Sequence, residues 1–302
     1  MAKTSNPFII KGYYSKEYFC DRKNELQILI RNFENGTNTS IISARKMGKS
    51  ALIFRFFEEI KSISSVEFIY VDIYQSRTLN DFINLLAEAI LNKFPGKSRT
   101  GARFMKFLKA IRPLISYDPV NGTPQVQITF QSEEEKKHSL FVLFDFLENQ
   151  EKKTVLVIDE FQQISFYPEK NTESVLRTYI QHLKNICFIF CGSNQHMMNQ
   201  MFSAANRPFF GSTRLLFLDA IDKNEYTAFI RMHFKNGRKT ISDDALNLIA
   251  DYTLLHTFYT QNLCNAIFSM CSGNIGTQEV KKCFSELLKD RKSTRLNSTH
   301  RL

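Results

Sequence analysis

The sequence predicts an α/β fold in which helices cover both faces of a parallel sheet and a smaller helical subdomain follows. Three observations support this prediction. Five short apolar segments have the length of buried strands, helical patterns separate them, and only helical spacing is found after residue 219. A chain of 302 residues is long enough for one such domain and an appendage.

The strand candidates are nearly continuous apolar runs, which is typical of strands buried on both faces. They span residues 38–44, 66–73, 154–160, 187–193 and 214–218. Apolar stripes at helical spacing follow the first two, from Leu52 to Ile60 and from Leu79 to Ile90. Alternation of this kind forms right-handed βαβ units, so the sheet is expected to be parallel.

An insertion at 94–153 separates the second and third strands. Within it, Asn121-Gly122 lies in an alternating segment, 114–130, which predicts a β-hairpin. A basic helical segment precedes the hairpin, and a further helix leads from it into the third strand.

Four helices are expected after residue 219, and Asp222, Ser242 and Thr277 are plausible N-caps for them. The expected domains are therefore a core at 1–219, which includes the insertion, and a helical subdomain at 220–289.

The last segment, residues 290–302, resembles the translation of a short-read sequencing adapter. We therefore expect it to be foreign to the protein. The chain carries a formal charge of +10, and the segment accounts for four positive charges and one negative charge, so +7 remains without it. A moderately basic chain is compatible with an anionic partner but does not require one.

The six cysteines, at positions 20, 187, 191, 264, 271 and 283, form no Cys-x-x-Cys pair. This spacing favours reduced core thiols over a metal site. No apolar run reaches the roughly 18 residues of a membrane span, and the N-terminus lacks the apolar stretch of a secretory signal. The expected location is the cytoplasm.

Residues 43–50, Ser-Ala-Arg-Lys-Met-Gly-Lys-Ser, differ at one position from the phosphate-binding pattern G-x-x-x-x-G-K-[ST], because Ser43 replaces the first glycine. Such a loop binds polyphosphate with backbone amides at a helix N-terminus and with a cation. Lys49 is expected to reach the β- and γ-phosphates, and the Ser50 hydroxyl to bind Mg²⁺. The expected nucleotide-binding residues here are Ser43, Ala44, Arg45, Lys46, Met47, Gly48, Lys49, Ser50 and Ala51.

Two acidic residues, Asp159 and Glu160, end the third apolar strand. A carboxylate at the tip of a buried strand needs a partner. Mg²⁺ is the expected partner of Asp159, and Glu160 is placed to polarise a water that attacks the γ-phosphate. The alternative is that the two residues only cap the next helix.

Polar residues also end the fourth strand. Ser193 or Asn194 is expected to hold the attacking water or to sense the γ-phosphate. An ordinary transition from strand to turn is the alternative.

Five stretches, at 6–26, 42–53, 155–164, 188–193 and 256–264, resemble the archaeal-type ATPases of the AAA-like and STAND group, in a bacterial subgroup of ATP-binding proteins. The resemblance implies a P-loop NTPase three-layer sandwich with strand order 5-1-4-3-2. It also implies that ATP and Mg²⁺ are the ligands and that the C-terminal helices form a lid over the nucleotide.

The resemblance assigns roles to further residues. Phe19 and Arg22 match a segment that packs on adenine, although Asp21 replaces the usual glycine. Arg207 lies where such ATPases often have an arginine finger, and Arg214 is its rival; a surface ion pair is the alternative for each. His256 is a candidate sensor in a segment that lacks the usual G-x-P turn.

The basic segment, residues 96–112, contains no acidic residue and has Phe104, Phe107, Leu108 and Ile111 on one helical face. Its cations could meet nucleic-acid phosphates, and a solvated helix face is the favoured alternative. They are Lys97, Arg99, Arg103, Lys106, Lys109 and Arg112.

Two functions are compatible with these features. The first is a slow, Mg²⁺-dependent ATPase that acts as a molecular switch, with Glu160 as the catalytic base, supported by Lys49, Ser193 and Arg207. The second is a module in which ATP is a structural ligand and the activity is binding of nucleic acid or protein. A small-molecule kinase is less compatible, because Asp159-Glu160 suits activation of water. An arginine finger that acts on a neighbouring copy would imply a homo-oligomer.

Overall fold

The computed structural model describes residues 6–63, 65–95, 98–108, 114–119, 122–130 and 132–299. The strands are β1 (Thr39–Ser43), β2 (Val66–Asp72), β3 (Leu114–Tyr117), β4 (Pro124–Gln127), β5 (Lys153–Asp159), β6 (Ile186–Gly192), β7 (Arg214–Leu218), β8 (Thr240–Ile241) and β9 (Asn274–Ile275). The helices are α1 (Lys23–Glu34), α2 (Lys49–Ile63), α3 (Leu79–Lys93), α4 (Arg99–Leu108), α5 (Glu133–Glu148), α6 (Thr172–Ile180), α7 (Gln195–Ser203), α8 (Lys223–Asn236), α9 (Asp243–Thr253), α10 (Thr257–Met270) and α11 (Thr277–Thr299).

Five of the strands form one parallel sheet in the order β2-β5-β6-β1-β7. Numbered among themselves in chain order, they read 5-1-4-3-2 from the β7 edge. All five strands predicted from apolar runs are present, and the α/β prediction with a parallel sheet is confirmed. The three central strands β5, β6 and β1 are almost entirely buried, which explains why their sequences lack polar alternation.

The chain divides into two compact units. The first, here called the sheet unit, comprises residues 27–45 and 57–218; the second, here called the helical unit, comprises the residues up to 26, 46–56 and those from 219 onward. Phosphate-loop residues 43–45 therefore belong to the sheet unit, and residues 46–50 belong to the helical unit.

The sheet unit has its core between the sheet and helices such as α3 and α5. A cluster of four phenylalanines lies beside β6, with ring centroids 4.5–5.9 Å apart: Phe161, Phe190, Phe202 and Phe209. Phe161 is fully buried and directly follows Glu160. Its packing therefore fixes the backbone at the end of β5.

The predicted hairpin is present, because β3 and β4 pair antiparallel. Gly122 has φ of +69°, as a turn glycine does; Asn121 lies outside the described residues. Side chains of α3 hold the hairpin: the Val126 amide donates to Glu88 Oε1 at 2.8 Å, and the Ile128 amide donates to Asn84 Oδ1 at 3.0 Å.

Part of the basic segment forms α4. Phe104 and Leu108 are fully buried, whereas Arg99, Arg103 and Lys106 are exposed, so the predicted two-faced helix is present over the described residues. The remaining cations, Lys97, Lys109 and Arg112, lie outside the described residues.

The helical unit has its own core, built from α8 to α11 and from Phe8 near the N-terminus. Asp222 and Ser242 cap α8 and α9 as predicted, because their side chains accept hydrogen bonds from backbone amides of the first turn. Thr277 is not an N-cap, because α11 begins at Thr277 itself and Gly276 precedes it.

The prediction of an all-helical pattern after residue 219 misses one feature. β8 and β9 form a two-stranded parallel sheet there. Strands of two residues are too short to show an alternating pattern in the sequence.

All six cysteines are free thiols, and every one except the half-buried Cys271 is buried. Within the described ranges, no cluster of three or more His, Cys, Asp or Glu residues could hold a metal ion. None of the helices described here combines the length and the apolar character that a membrane span requires.

Candidate functional site

The carboxyl ends of β5, β6 and β1 lie side by side, because the three strands are parallel neighbours in the sheet. This edge therefore brings Asp159, Ser193 and Ser43 to one region of the sheet unit. In open α/β sheets, ligands bind outside the carboxyl ends of the strands. The sequence-predicted acidic and polar strand ends thus share the edge at which a ligand is expected.

Asp159 is the last residue of β5 and is only 6% exposed. The Tyr70 hydroxyl donates a hydrogen bond to its Oδ2, and the Glu160 amide donates to its Oδ1 at 2.9 Å. Each carboxylate oxygen therefore accepts a hydrogen bond, which a buried polar group requires. Asp159 is therefore held as an oxygen donor of fixed orientation.

Glu160 adopts the left-handed conformation, with φ of 56°. This conformation is uncommon for a residue with a side chain, and such residues cluster at functional sites. The Glu160 Oε2 accepts hydrogen bonds from the Ser193 hydroxyl at 2.7 Å and from Gln162 Nε2 at 2.6 Å. It also accepts one from the Ser193 amide at 3.3 Å. Glu160 and Ser193, for which the sequence predicted separate roles, are therefore in direct contact.

Asn194 does not join this pair. Its side chain accepts a hydrogen bond from the Met197 amide at 3.1 Å and so caps α7. The structure thus gives Ser193 and Asn194 different surroundings, which the sequence did not distinguish.

The beginning of the phosphate loop also approaches Ser193. Arg45 Nε donates to Ser193 Oγ at 3.3 Å, and its guanidinium carbon lies 5.4 Å from the centre of the Tyr74 ring. Ser43 is fully buried at the end of β1, and Ala44 is exposed. Within the sheet unit, the structure therefore brings together Arg45, Glu160 and Ser193.

The rest of the loop makes a sharp turn into α2. Lys46 has φ of +62° and Gly48 has φ of +93°, and α2 begins at Lys49. The positive φ is the reason that position 48 requires glycine, and lack of space is not. A Cβ built on Gly48 would lie 3.6 Å from Thr257 Cγ2, which is an ordinary van der Waals distance. Lys49 is only 8% exposed, and Ser50 and Ala51 are half-buried. A cation in the first turn of a helix, after a glycine turn, is suited to an anion at the helix N-terminus.

The backbone carbonyl of Met47 connects the loop to two distant parts of the helical unit. Thr257 Oγ1 donates to this oxygen at 3.1 Å, and Arg22 Nη2 lies 3.5 Å from it. Two leucines before α10, Leu254 and Leu255, have φ of 49° and 55°, and this turn leads the chain to Thr257. Left-handed leucines are strained, so the turn holds the start of α10 at a conformational cost.

Arg22 is buried, with 5% exposure, and makes several contacts. Its Nη1 pairs with Glu25 Oε1 at 2.8 Å, and its Nη2 donates to the Asp219 carbonyl at 2.5 Å. Arg22 is thus a buried connection between the N-terminal segment, the loop and the start of the C-terminal segment. Phe19 is half-buried, with its ring 6.0 Å from that of Tyr13.

The N-terminal end of α10 contributes aromatic side chains near the loop. Lys46 Nζ lies 3.9 Å from the centre of the Phe258 ring, a cation–π contact. The ring of His256, the predicted sensor, lies 4.5 Å from that of Tyr259. His256 directly precedes Thr257, the residue that bonds to the loop.

The two arginine-finger candidates lie elsewhere in the sheet unit. Arg207 forms an ion pair with Glu173, and its Nη2 lies 3.4 Å from Ser165 Oγ. Arg214 is exposed at the first residue of β7, at the opposite end of the strand from the carboxyl edge. Neither arginine has a described contact with Asp159, Glu160 or Ser193.

The sequence pattern does not indicate three residues that make these contacts: Gln162 and Tyr70 in the sheet unit and Thr257 in the helical unit. Gln162 lies two positions after Glu160, and the sequence pattern at this strand end indicates a role only for Asp159 and Glu160. Tyr70 alternates with apolar residues inside β2, so nothing in its pattern indicates a polar role. Thr257 is separated from Met47 by 210 residues, and only the folded chain reveals the contact.

Taken separately, each unit carries donors of the kinds that bind a nucleotide and a divalent cation. A buried lysine at the start of α2, after a turn that requires glycine, is suited to phosphate oxygens. Each unit also carries a hard oxygen donor of the kind that Mg²⁺ prefers: the Ser50 hydroxyl in the helical unit and the Asp159 carboxylate in the sheet unit.

Comparisons with solved structures show the same fold in known proteins. The Walker-type ATPase PABY2304 of Pyrococcus abyssi is similar with a TM-score of 0.66 at 18% identity, over 98% of this chain and 79% of that chain. The ORC1 protein of Aeropyrum pernix, in complex with DNA, is similar with a TM-score of 0.65 at 13% identity, over 97% of this chain and 72% of that chain. The ORC2 protein of the same organism, in ADPNP and ADP complexes, is similar with a TM-score of 0.62 at 15% identity, over 93% of this chain and 70% of that chain.

A search of curated protein sequences found no match. A family model does match: the model of an ATPase domain found predominantly in Archaea covers residues 19–253. The match includes the phosphate loop, the acidic end of β5 and Ser193, and it spans more than half of the chain. The protein therefore belongs to this family of archaeal-type P-loop ATPases.

Proposed function

We propose that the protein is a slow, Mg²⁺-dependent ATPase that acts as a molecular switch of the AAA-like and STAND type. The observation that carries this proposal is the hydrogen-bonded group at the carboxyl edge of the sheet, where Ser193 holds the Glu160 carboxylate beside the buried Asp159. Family membership supports the ATPase class. A carboxylate held in this way beside a metal-binding carboxylate suits activation of water.

Binding of ATP is assigned to the loop. The amides of residues 47–50 and the Lys49 ammonium bind the phosphates, and Gly48 permits the turn. Mg²⁺, when bound by Ser50 and Asp159, supplies charge neutralisation at the phosphates. Phe19 and Arg22 belong to the segment proposed to contact adenine, in which Arg22 also ties the loop carbonyl to its own segment.

The chemical step is assigned to Glu160. The water oxygen forms a bond to the γ-phosphorus, and the bond between that phosphorus and the bridging oxygen of ADP breaks. Glu160 accepts the proton of the water on a carboxylate oxygen and later releases it to solvent. Ser193 keeps the carboxylate oriented, through its hydroxyl at 2.7 Å.

The switch is assigned to the contact between the loop and α10. Because Thr257 bonds the Met47 carbonyl, a change in the loop on binding or loss of phosphates is transmitted directly to the start of α10. The strained turn at Leu254 and Leu255 provides a place where the backbone can rearrange. The helices that follow would pass this change to a partner.

Phosphate release and thermal unfolding, measured together, test the proposal. We expect Mg²⁺-dependent release of phosphate from ATP, and a higher melting temperature in ATP than in buffer. A rise in melting temperature without phosphate release would favour the alternative, in which ATP is a structural ligand. No effect of ATP on either measurement would reject both.

A second candidate function, binding of nucleic-acid phosphates, is favoured by a cavity of about 220 Å³ beside α4. Arg99, Arg103 and Lys152 line it together with Glu67 and Glu151. Burial opposes ionisation of Glu67, but hydrogen bonds and charge from Lys93 and Lys152 outweigh it and lower the pKa of Glu67. Glu67 is therefore paired with Lys93 and Lys152. Arg99 and Arg103 then exceed the remaining carboxylate of the lining, Glu151, by one positive charge.

The salt dependence of oligonucleotide binding tests this second function. Each phosphate contact contributes a slope of about 0.7 to 0.9 in the logarithm of affinity against the logarithm of salt. Replacing Arg99 and Arg103 by alanine should remove about two such contributions, whereas Lys137→Ala, at an exposed position on α5, should remove none. Equal slopes for all three proteins would reject the assignment.

A further inference from the structure

The amide of Gln162 is buried against the proposed catalytic base. Gln162 is 6% exposed and follows Glu160 in a 3-10 turn, Phe161–Phe166. Its Nε2 donates to Glu160 Oε2 at 2.6 Å. The orientation of the amide follows from this contact, because only the NH₂ end can approach a carboxylate favourably.

The other end of the same amide has no partner. Gln162 Oε1 is buried and accepts no hydrogen bond among the described residues. A buried acceptor without a hydrogen bond loses its hydration and gains nothing in return, so this end of the glutamine is unfavourable for stability. Unsatisfied buried groups of this kind need another explanation, and function is one.

The backbone of β6 is shaped to admit this glutamine. A Cβ on Gly192 would lie 2.3 Å from Gln162 Oε1 and 2.4 Å from Met198 Cγ. Gly192 has no positive φ, so glycine is needed here for space and not for conformation. The absence of a side chain at Gly192 lets the glutamine amide lie directly on the strand.

Two elements therefore converge on Glu160 Oε2 from different directions. Ser193 follows Gly192 at the end of β6, and Gln162 follows Glu160 in the turn after β5. The turn itself is closed by the Gln163 amide, which donates to the Glu160 carbonyl at 2.9 Å, and is anchored by the buried Phe161. Two donors on a rigid support restrict the carboxylate more than one donor does.

We infer that Gln162, supported by Gly192, is a positioning residue that holds the Glu160 carboxylate in the orientation from which it accepts the proton of the attacking water. This inference rests on the proposed hydrolysis and names a residue that the reaction needs but that does not touch the nucleotide. Gln162 acts through Glu160 only.

Three variants test the inference in the intact chain. Gln162→Leu removes the donor at similar volume, and Gly192→Ala displaces the amide while every donor is retained. Gln163→Leu is the matched control, because Gln163 lies on the same turn but donates to the Ser76 carbonyl instead.

We expect kcat for phosphate release to fall about 10- to 100-fold in Gln162→Leu and Gly192→Ala, because a misplaced catalytic group costs factors of this size. The ATP dissociation constant should stay within about twofold of wild type, and Gln163→Leu should retain kcat. A purely structural role for Gln162 would instead lower kcat and ATP affinity together.

A double variant separates action through Glu160 from a general loss of structure. If Gln162 acts only through Glu160, Gln162→Leu has no further effect on kcat once Glu160→Gln is present. An equal fall in both backgrounds, or a kcat in Gln162→Leu within about twofold of wild type, would overturn the inference. Absence of phosphate release from the wild-type protein would overturn the proposed function as well, so the two failures are distinguishable.

Discussion

The Thr257 hydroxyl donates a hydrogen bond to the Met47 carbonyl oxygen at 3.1 Å, although the two residues are 210 positions apart. Met47 belongs to the phosphate loop and Thr257 is the first residue of α10. The methyl group of the same threonine, Cγ2, lies 3.6 Å from the position that a Cβ at Gly48 would occupy. One threonine therefore links the loop to the C-terminal helices of the helical unit.

Loss of this link should weaken ATP binding. Thr257→Val keeps the shape and removes the donor, at a cost of about 0.5–1.5 kcal/mol. That cost corresponds to a fall of about 2- to 10-fold in ATP affinity, measurable by calorimetry. Thr257→Ser should retain most of the affinity.

Thr178→Val is the control, because Thr178 makes a similar hydroxyl-to-carbonyl hydrogen bond within α6. Equal losses of ATP affinity in Thr257→Val and Thr178→Val would contradict the assignment.

Replacement of Gly48 by alanine should weaken ATP binding by more than the loss of protein stability explains. Gly48→Ala forces a side chain into φ of +93°, and left-handed backbone costs an L-residue about 1–2 kcal/mol. Gly211→Ala is matched to it, because Gly211 also has a positive φ, of +64°, and open space around its Cα. We expect similar falls in melting temperature for both variants, but a loss of ATP binding only for Gly48→Ala. Normal ATP binding by Gly48→Ala would show that the turn is not needed.

The ion pair of Arg207 with Glu173 indicates a structural role for Arg207. Its role as an arginine finger stays a prediction, which measurement of ATP turnover tests. Burial raises the pKa of Glu173, and the Arg207 charge opposes this. With a structural role only, Arg207→Ala and Glu173→Gln should lower the melting temperature alike and leave ATP turnover within about twofold of wild type. A large loss of turnover in Arg207→Ala alone would instead assign Arg207 to catalysis.

Acid should destabilise the helical unit through His233. Burial lowers the pKa of His233 below its ordinary value of 6.5, and a hydrogen bond to the Glu17 backbone opposes this. The ring packs against Phe229, at 4.4 Å, and Tyr18, at 5.8 Å, and its Nε2 has no described hydrogen-bond partner. The folded protein thus favours the neutral imidazole.

The sign of the effect follows from proton binding. Below pH about 6.5 the unfolded chain binds a proton at His233 that the folded chain resists, so stability falls as pH decreases through this range. His233→Gln should flatten that part of the profile of unfolding free energy against pH. His138→Gln, at an exposed position on α5, should leave the profile unchanged. Identical profiles for wild type and His233→Gln would contradict this account.

The sequence predicted the sheet well because its strands are buried on both faces. Near-continuous apolar runs marked all five strands, and side-chain caps marked the starts of α8 and α9. β8 and β9 were missed because two residues cannot establish a period. Thr277 was wrongly predicted as a cap because a sequence pattern locates the start of a helix only to within one or two residues.

The candidate site was predictable only in its local parts. Parallel strands place their ends at one edge, so Asp159, Glu160 and Ser193 could be grouped from the sequence. The donors that orient them are set by packing, as shown by the hydrogen bond of Tyr70 to Asp159 and by Gly192, which makes room for Gln162. Such contacts depend on a tertiary structure that no short pattern encodes.

We propose that Glu160 activates water for hydrolysis of ATP held by the loop. The most direct test of this role is phosphate release measured together with ATP binding in wild type, Glu160→Gln and Lys49→Ala. We expect Glu160→Gln to bind ATP with near wild-type affinity and to lose at least about 100-fold in phosphate release, because it lacks the base. Lys49→Ala should lose ATP affinity as well. Wild-type rates of phosphate release from Glu160→Gln would contradict the claim.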